Sequence, residues 1–317
     1  MTRIKISVLI TVYNESCEWF CHSLKSMVNQ YIDGFISLEI IVVIDNPKKK
    51  DFYYSIIDEI RLPECVSLIT ICNDKNIGLA KSLNKAFLLS SGDYIARMDA
   101  DDISIVDRLY KQYKYYLSHD VDILGSSIER IDEDGNHLSY AHISESFDSL
   151  LPYLGYRALC YHPTWFMSRD VFESIEGYRP YPNSQDLDFI FRAIDKGFVI
   201  GNVPEVLLKY RINTQSLSFK KSLRQRKCQY HIIRQAKRRS KGLDFYSEDE
   251  MNNYISSSRS LEYIHYLSQK LFSKATNRNE NLLYRFFLLL CSVLMSPYQA
   301  KHVFRMINFK FKRAFRQ

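Results

Sequence analysis

The run Ser91-Gly-Asp-Tyr-Ile-Ala-Arg-Met-Asp-Ala-Asp-Asp102 joins an apolar segment to a cluster of carboxylates. Residues 94–98 have the length and composition of a buried strand, and Asp99 and Asp101 follow where the chain would leave a sheet. Two carboxylates one residue apart offer the oxygen ligands that suit Mg²⁺ or Mn²⁺, and an ion held there could bridge a diphosphate. Asp-x-Asp triplets also occur in solvated turns and as helix N-caps, so an alternative is that Asp102 to Asp107 open the next helix.

Strand and helix patterns alternate around this run. Apolar, β-branched segments of strand length and segments with helical spacing follow one another, the first at 6–12, 38–44 and 66–72, the second at 15–28 and 78–90. The alternation predicts an α/β fold with a mostly parallel sheet and helices on both of its faces. Ligands of such sheets bind beyond the carboxyl ends of the strands, where Tyr13, Asn14, Glu15 and Asp45 also fall.

Composition restricts the class of protein. The 317 residues are 46% hydrophobic and 25% charged, which is enough for one sizeable core or two modest domains. The seven cysteines are scattered without a C-x-x-C pair, as in proteins of a reducing compartment. The N-terminal apolar run is shorter than a signal-peptide core, and the stretch Phe286 to Met295 is too short to span a bilayer. We therefore expect a cytoplasmic protein.

Positive charge is concentrated near the C-terminus. Residues 219–242 contain ten Lys or Arg and residues 281–317 contain seven, and neither stretch contains an acid. Since the whole chain carries +7, its remainder is acidic. Basic and apolar residues alternate here as in helices that lie on anionic membranes, and we expect contact with an anionic membrane surface. A helical domain with a solvated charged face is the alternative, and the acidic N-terminal body argues against a nucleic-acid partner.

Five motifs in a fixed order make the chain similar to the family 2 glycosyltransferases, which have the GT-A fold. They are Val8-Leu-Ile-Thr-Val-Tyr-Asn-Glu15, Val42-Val-Ile-Asp45, Asn76-Ile-Gly-Leu-Ala80 with Asn84 and Ala86, the run 91–102, and Gln185-Asp-Leu-Asp188. The set resembles enzymes that build bacterial capsule, exopolysaccharide or lipopolysaccharide O-antigen. The resemblance implies a GT-A catalytic domain over residues 1–218, and residues 219–317 are expected to form a helical, basic C-terminal region.

The resemblance also implies an activity. It is inverting transfer of a hexose or N-acetylhexosamine from a nucleotide-diphosphate donor, by default a UDP-sugar, to a glycan or polyprenyl-diphosphate-linked acceptor. Mn²⁺ or Mg²⁺ is the implied cofactor, with Asp101 and Asp99 as metal ligands. The remaining implied roles are Asp186 as general base and acceptor contacts from His162, Trp165 and Gln185. On the donor, Tyr13, Glu15 and Asp45 are implied to hold the base and ribose, Asn76, Gly78 and Lys81 to face the diphosphate, and Thr11, Arg97 and Asp99 to make further contacts.

Four of these residues have alternative interpretations. Lys81 could be a solvated helix charge, and Arg97 could be a structural ion-pair partner. Trp165 could belong to the core. Asp186 could N-cap a helix, a role compatible with that of a base.

Two departures from the family pattern affect the site. Gln185 stands where the family more often has Glu, which leaves Asp186 as the single carboxylate of that pair. Asn213 stands where some members place a metal-binding His after the Tyr210-Arg211 pair, and an Asn can still ligate through its oxygen. If these departures mark decay, the chain would be a catalytically weak scaffold of a polysaccharide assembly complex.

Other enzyme classes fit less well. An oxidoreductase with a dinucleotide cofactor would need G-x-G-x-x-G after the first strand, and that motif is missing. A sugar nucleotidyltransferase is the nearest enzymatic alternative, but it usually opens with a Gly-rich phosphate loop that this sequence lacks.

Overall fold

The computed structural model describes residues 4–144, 146–213, 222–243, 246–276 and 281–314. The described residues fall into two compact units that divide between residues 213 and 214. The boundary expected at residue 218 lies outside the described residues.

The first unit is built on a nine-stranded sheet. Its strands are β1 (Ile4–Val12), β2 (Ile36–Ile44), β3 (Val66–Cys72), β4 (Tyr94–Asp99), β5 (Ile103–Ser104), β6 (Ile123–Ile131), β7 (His137–Ala141), β8 (Phe166–Ser168) and β9 (Ile200–Arg211). Their order is β3-β2-β1-β4-β8-β6-β9-β5, with β7 beside β6. The pairs β3-β2, β2-β1 and β1-β4 are parallel, whereas β8 runs antiparallel to β4 and β6. The predicted α/β class with a mostly parallel, helix-flanked nucleotide-binding half is confirmed.

Helices cover both faces of this sheet. They are α1 (Cys17–Val28), α2 (Lys50–Asp58), α3 (Leu79–Leu89), α4 (Arg108–Ser118), α5 (Phe147–Leu150), α6 (Arg169–Ser174) and α7 (Gln185–Asp195). Alternate residues of β2 belong to different cores: Ile40 and Val42 pack with α1, and Ile41 and Val43 pack with α3. Burial on both faces explains why the central strands read as continuous apolar runs.

The sheet register places polar residues together at one edge. Thr11 of β1 is aligned with Val43 of β2 on one side and with Asp99 of β4 on the other. Because the three strands are parallel, their carboxyl ends open onto the same edge. Residues that follow β1, β2 and β4 therefore meet there.

The second unit is helical in its described part. Its helices are α8 (Ser222–Arg239), α9 (Glu248–Ile255), α10 (Arg259–Thr276), α11 (Leu282–Met295) and α12 (Pro297–Ala314). Among the residues that the structure describes, no helix is long and apolar enough to cross a bilayer.

Candidate active site

Three carboxylates converge where β4 ends. Asp99 is the last residue of β4, and Asp101 and Asp102 occupy the turn that leads into β5. One oxygen of each lies within 4.8 Å of the others, close enough to hold one ion. Asp102 was not predicted as a ligand from the sequence. Its position directly after the Asp99-Ala-Asp101 triplet was the available signal, but an extended chain would point adjacent side chains apart, and the turn reverses that.

The charges of this acidic cluster, Asp99, Asp101 and Asp102, are poorly compensated. Burial, with the negative charges of Asp99 and Glu15, raises the pKa of Asp101 to about 7. Burial and the charges of Asp101 and Asp99 raise the pKa of Asp102 well above its usual range. The second oxygen of Asp102 is buried and has no hydrogen-bond partner among the described residues. Hard oxygen ligands whose ionised forms repel one another fit a divalent cation.

Arg97 is the buried cation next to this cluster. It lies two residues before Asp99 on the same face of β4 and forms an ion pair with that carboxylate. Burial alone would lower the pKa of Arg97, but the charges and hydrogen bonding of Asp99, together with Tyr178 and Asp102, raise it. Its Nε and Nη2 atoms are buried and lack hydrogen-bond partners within the described part of the chain. Arg97 is therefore an ion-pair partner of Asp99, as in its alternative interpretation. Its contact with the donor stays a prediction.

Arg211, at the end of β9, braces the turn that carries the cluster. Its backbone N–H donates to Asp102 Oδ1 at 2.8 Å, and its Nε donates to the carbonyl of Asp101 at 2.9 Å. Its Nη1 donates to the carbonyls of Asp132 and Glu133 at 3.0 and 2.8 Å. Sequence analysis gave Arg211 no function, because these contacts cross about a hundred positions of the chain and leave no local pattern.

The loop after β1 offers an aromatic ring and a carboxylate. Glu15 Oε2 accepts hydrogen bonds from the N–H groups of Tyr13 at 2.6 Å and Asn14 at 3.0 Å. This local turn holds the Tyr13 side chain 38% exposed. An exposed ring at the carboxyl edge of the sheet can stack on a base, and that contact stays a prediction.

Asp45 organises the loop before α3. It is only 4% exposed. Its carboxylate accepts hydrogen bonds from the N–H groups of Ile77 and Gly78 at 2.8 and 2.9 Å and from Asn73 Nδ2 at 2.9 Å. These contacts occupy much of the hydrogen-bonding capacity of the Asp45 carboxylate, which the resemblance assigned to the donor base or ribose. Asp45 therefore acts first on the shape of the Asn76–Gly78 turn.

Gly78 sets the direction in which α3 begins. Its φ of 85° lies in the left-handed region that favours glycine, and α3 starts at the next residue. Asn76 and Lys81 lie on the exposed side of this turn and first helical turn. Backbone N–H groups at a helix N-terminus attract anions, and the diphosphate contact of this turn stays a prediction.

Asp186 lies in the first turn of α7. The N-cap position is occupied by Ser184, which has a left-handed φ of 61°, so the alternative that Asp186 itself caps the helix is wrong. Burial raises the pKa of Asp186, backbone N–H groups of Leu187 and Asp186 and the charge of Arg97 lower it, and the charge of Asp99 raises it. Asp186 is thus within electrostatic reach of the acidic cluster while part of its surface stays accessible.

Asp188, two residues further on, has a different environment. It is fully buried and accepts a hydrogen bond from Arg192 Nε at 2.8 Å. Arg192 in turn donates to the carbonyls of Ile175 and Gly177, the latter at 2.6 Å. The pair ties α7 to the turn after α6, which makes Asp188 a structural residue and leaves Asp186 as the accessible carboxylate of the motif.

The predicted acceptor residues lie close to Asp186 in sequence or in space, but they differ in accessibility. Trp165 is 1% exposed and packs within 5.2 Å of the Phe189 ring, so protein covers its faces and the core alternative describes it. Gln185 is buried. His162 Nε2 hydrogen-bonds the Tyr178 hydroxyl at 2.8 Å, and burial with the charge of Arg97 holds its pKa well below the usual range. His162 is therefore neutral at physiological pH.

Asn213 follows the end of β9 by two residues and is the last described residue before position 222. Its predicted substitution for a metal-binding His remains a prediction. The residues 214–221 that follow it lie outside the described part of the chain.

Known proteins match this chain over most of its length. The Glycosyl transferase family 2 model matches residues 7–176. An uncharacterized glycosyltransferase of Methanocaldococcus jannaschii is 32% identical over 236 residues, which cover 74% of this chain and 80% of that protein. The O-antigen biosynthesis glycosyltransferase WbnJ of Escherichia coli is 30% identical over 236 residues, or 73% of this chain and 88% of that protein.

Solved structures share the fold. S. aureus TarS residues 1–349 in complex with UDP-GlcNAc superimpose with a TM-score of 0.56 at 13% identity, covering 84% of this chain and 81% of that one. For the longer TarS structure the TM-score is 0.57, and this chain spans about half of it, 54%. The family match covers more than half of the chain and includes the acidic cluster. The protein therefore belongs to glycosyl transferase family 2 and is a glycosyltransferase with the GT-A fold.

Proposed function

We propose that the enzyme transfers a hexose or N-acetylhexosamine from a UDP-sugar to a hydroxyl group of a glycan or lipid-linked glycan, with inversion at the anomeric carbon. The observation that carries this proposal is the cluster of Asp99, Asp101 and Asp102 at the carboxyl edge of the sheet. Asp186, in the first turn of α7, is the base candidate, and the charge of Asp99 contributes to its raised pKa. The family match ends at residue 176, so the role of Asp186 rests on the sequence motif and on its partly accessible position in the first turn of α7.

The names of similar proteins support the substrate class. WbnJ acts in O-antigen biosynthesis and AmsE of Erwinia amylovora in amylovoran biosynthesis, so a bacterial surface polysaccharide such as O-antigen, lipopolysaccharide or capsule is the proposed product. TarS structures contain UDP-GlcNAc and UDP, which favours a uridine nucleotide as the donor.

In the proposed reaction Asp186 accepts the proton of the acceptor hydroxyl. The acceptor oxygen forms its bond to the anomeric carbon while the bond from that carbon to the diphosphate oxygen breaks. A raised pKa makes an ionised carboxylate a stronger base and so favours proton transfer near neutral pH. His162, which is partly accessible, borders the acceptor, while the buried Trp165 and Gln185 support the pocket from the core.

The loop after β1, the turn before α3 and the acidic cluster after β4 hold the donor. Thr11, Tyr13 and Glu15 border the nucleoside, while the Asn76–Gly78 turn, the N-terminus of α3 and Lys81 face the diphosphate. Asp99, Asp101 and Asp102 hold Mn²⁺ or Mg²⁺, which when bound offsets negative charge on the departing diphosphate. Arg97 keeps Asp99 oriented and offsets part of the negative charge when the ion is absent.

The proposed location follows from the substrate. We assign catalysis to residues 1–218 and place the enzyme in the cytoplasm, peripheral to the inner face of the membrane that carries a lipid-linked acceptor. This assignment leaves the C-terminal unit free for a role outside the chemistry.

A donor panel tests the function. Purified protein is incubated with UDP-glucose, UDP-galactose, UDP-GlcNAc and UDP-GalNAc, with Mn²⁺ or with a chelator, and release of UDP is measured. We expect metal-dependent hydrolysis of one or two donors. NMR of a product made with a matched acceptor should show the anomeric configuration opposite to that of the donor. Retention of configuration would contradict the base role of Asp186, and release of pyrophosphate from a sugar phosphate and UTP would favour a nucleotidyltransferase.

A further inference from the structure

Helix α11 turns its large apolar side chains away from its own unit. Six of them are between 47% and 80% exposed, namely Leu282, Leu283, Phe286, Phe287, Leu290 and Leu294. With successive residues about 100° apart around a helix, these six occupy an arc of about 140° on one side. We call this surface the α11 stripe. Exposed apolar patches of this kind mark interaction sites.

The opposite face of α11 is packed inside and places the small polar residue Ser292 beside Leu288. Ser292 and Ser268 of α10 are both fully buried, and each hydroxyl donates to the other residue's carbonyl at 2.8 Å. Just beyond the end of α11, Ser296 Oγ hydrogen-bonds His265 Nδ1 of α10 at 2.7 Å. A helix of a water-soluble domain has the reverse arrangement, apolar side inward and polar side outward.

This arrangement is typical of helices in contact with lipid. Helix pairs in membranes associate through small residues and hydroxyl hydrogen bonds, while large apolar side chains face the hydrocarbon. The α10–α11 pair has both features, with Leu288 as the one large apolar side chain of α11 that is buried.

The charge of the sequence that contains the stripe favours one occupant. Residues 281–317 contain seven Lys or Arg and no acid. Two copies of the chain that met through their stripes would bring these like charges together, whereas an anionic bilayer would neutralise them, each cation near the surface contributing about 1 kcal/mol. Charge complementarity therefore selects an acidic lipid surface over a second copy.

The length of α11 fixes the mode of contact. Its 14 residues extend about 21 Å, less than the hydrocarbon thickness of about 30 Å. We propose that α11 lies in the plane of an anionic membrane, with the α11 stripe inserted at the boundary of headgroups and acyl chains and with basic residues of α12 on the headgroups. This membrane contact does not depend on the glycosyl-transfer proposal, since no residue of the catalytic unit takes part.

Vesicle flotation with matched variants tests the proposal. The full chain is mixed with phosphatidylcholine vesicles that do or do not contain phosphatidylglycerol. One variant combines Leu283→Gln, Phe286→Gln, Phe287→Gln and Leu290→Gln. The control combines Leu117→Gln and Leu138→Gln, which replace equally exposed leucines outside the stripe. We expect the wild type and the control to float with phosphatidylglycerol vesicles and the stripe variant to bind at least tenfold more weakly, with unchanged helix content by circular dichroism.

A reporter variant covers the case in which four substitutions disturb the fold. Phe287→Trp adds one indole to the stripe, and its emission should shift to shorter wavelength with anionic vesicles. Binding should weaken in 1 M salt without disappearing, because insertion is apolar. Absent flotation of the wild type, or an unshifted emission, would overturn the proposal. So would wild-type dimers that the stripe variant converts to monomers without any vesicle binding, since the stripe would then join two copies.

Discussion

Asp186 and Asp188 are two carboxylates in the first turn of one helix, yet their partners differ. Asp188 is buried in an ion pair with Arg192. Asp186 is partly accessible, and the charges of Arg97 and Asp99 contribute to the shift of its pKa. We predict that Asp186→Asn keeps donor affinity and loses transfer by about two to four orders of magnitude, the range for loss of a general base. Donor affinity is measured by calorimetry and transfer by release of UDP in the presence of acceptor.

Asp188→Asn is the matched control for that experiment. It leaves Arg192 buried with a weaker partner, so the variant should lose stability, by about 3 kcal/mol, the cost of breaking a buried ion pair. Its folded fraction should still transfer sugar. A wild-type rate for Asp186→Asn would place the base elsewhere.

The raised pKa of Asp186 predicts the pH dependence of the enzyme. The base acts only when ionised, so kcat/KM should fall as the pH falls through this pKa, and that acid limb should lie above the usual range of an aspartate. The contribution of Asp186 to folding stability should change with pH in the opposite direction to kcat/KM. Because burial favours the neutral carboxyl, its contribution to folding is present at low pH and is lost as the pH rises through the raised pKa.

Thermal unfolding checks the second half of that prediction. Asp186→Asn should raise Tm at pH 7.5 and leave it nearly unchanged at pH 4, since an amide mimics the neutral acid. An equal change in Tm at both pH values would show that the ionised carboxylate is not destabilising in the folded protein.

The acidic cluster predicts metal-dependent donor binding. Asp101→Ala should remove at least tenfold of the donor affinity gained with Mn²⁺ and leave affinity without metal unchanged, because a ligand contributes only when the ion is present. Calorimetric titration of UDP with and without Mn²⁺ makes the comparison. Glu173→Ala, a mainly exposed carboxylate on α6, is the control, and equal metal dependence in both variants would remove Asp101 from the ligand set.

At the scale of elements, β9 supports the cluster through Arg211. The fork of its guanidinium joins the turn after β4 to the carbonyls of Asp132 and Glu133. We predict that Arg211→Lys weakens Mn²⁺-dependent UDP binding about tenfold, since one ammonium cannot span these carbonyls. UDP binding without metal should hardly change. A loss confined to Mn²⁺-dependent binding would show that Arg211 positions the acidic cluster, whereas an unfolded variant would lose both kinds of binding. Arg130→Lys in β6 is the control.

The sequence indicated the elements whose pattern is local. Strands β1 to β4 and helices α1 and α3 follow from apolar periodicity, and the motifs after β1, β2 and β4 follow from polar residues at strand ends. Asp102 as a third carboxylate, Asp45 as the organiser of a turn and Arg211 as a brace depend on residues far apart in the chain. No periodicity records such contacts, so they emerged only from the fold.

The same limit explains the acceptor side and the C-terminal region. The sequence around Trp165 is compatible with an exposed aromatic residue and with a core residue. Only its packing against Phe189 in the fold shows that it belongs to the core. For the C-terminal region the sequence left two interpretations open, helices that lie on an anionic membrane and a helical domain with a solvated charged face. The burial of Ser292, while six large apolar side chains of the same helix are exposed, could not be inferred from hydropathy, which favours leucine inside.

For the whole molecule, the two units have separate tasks in our proposals. The two hydrophobic clusters of the first unit are made entirely of residues between positions 6 and 210. A core that is closed within one unit should support independent folding. We predict that a chain of residues 1–221 folds, binds UDP with Mn²⁺ within about threefold of the full chain and hydrolyses the donor, but no longer floats with anionic vesicles.

Transfer to two acceptors then separates chemistry from location. With a short water-soluble acceptor the shortened and full chains should have similar kcat, because residues 1–221 contain every proposed catalytic and donor-binding group. With an acceptor anchored in phosphatidylglycerol vesicles the full chain should be at least tenfold faster, since binding to the membrane concentrates enzyme and acceptor on one surface. Equal rates on vesicles would leave the α11 stripe without a part in catalysis. Aggregation of the shortened chain, despite its complete apolar clusters, would instead show that the second unit is needed to stabilise the first.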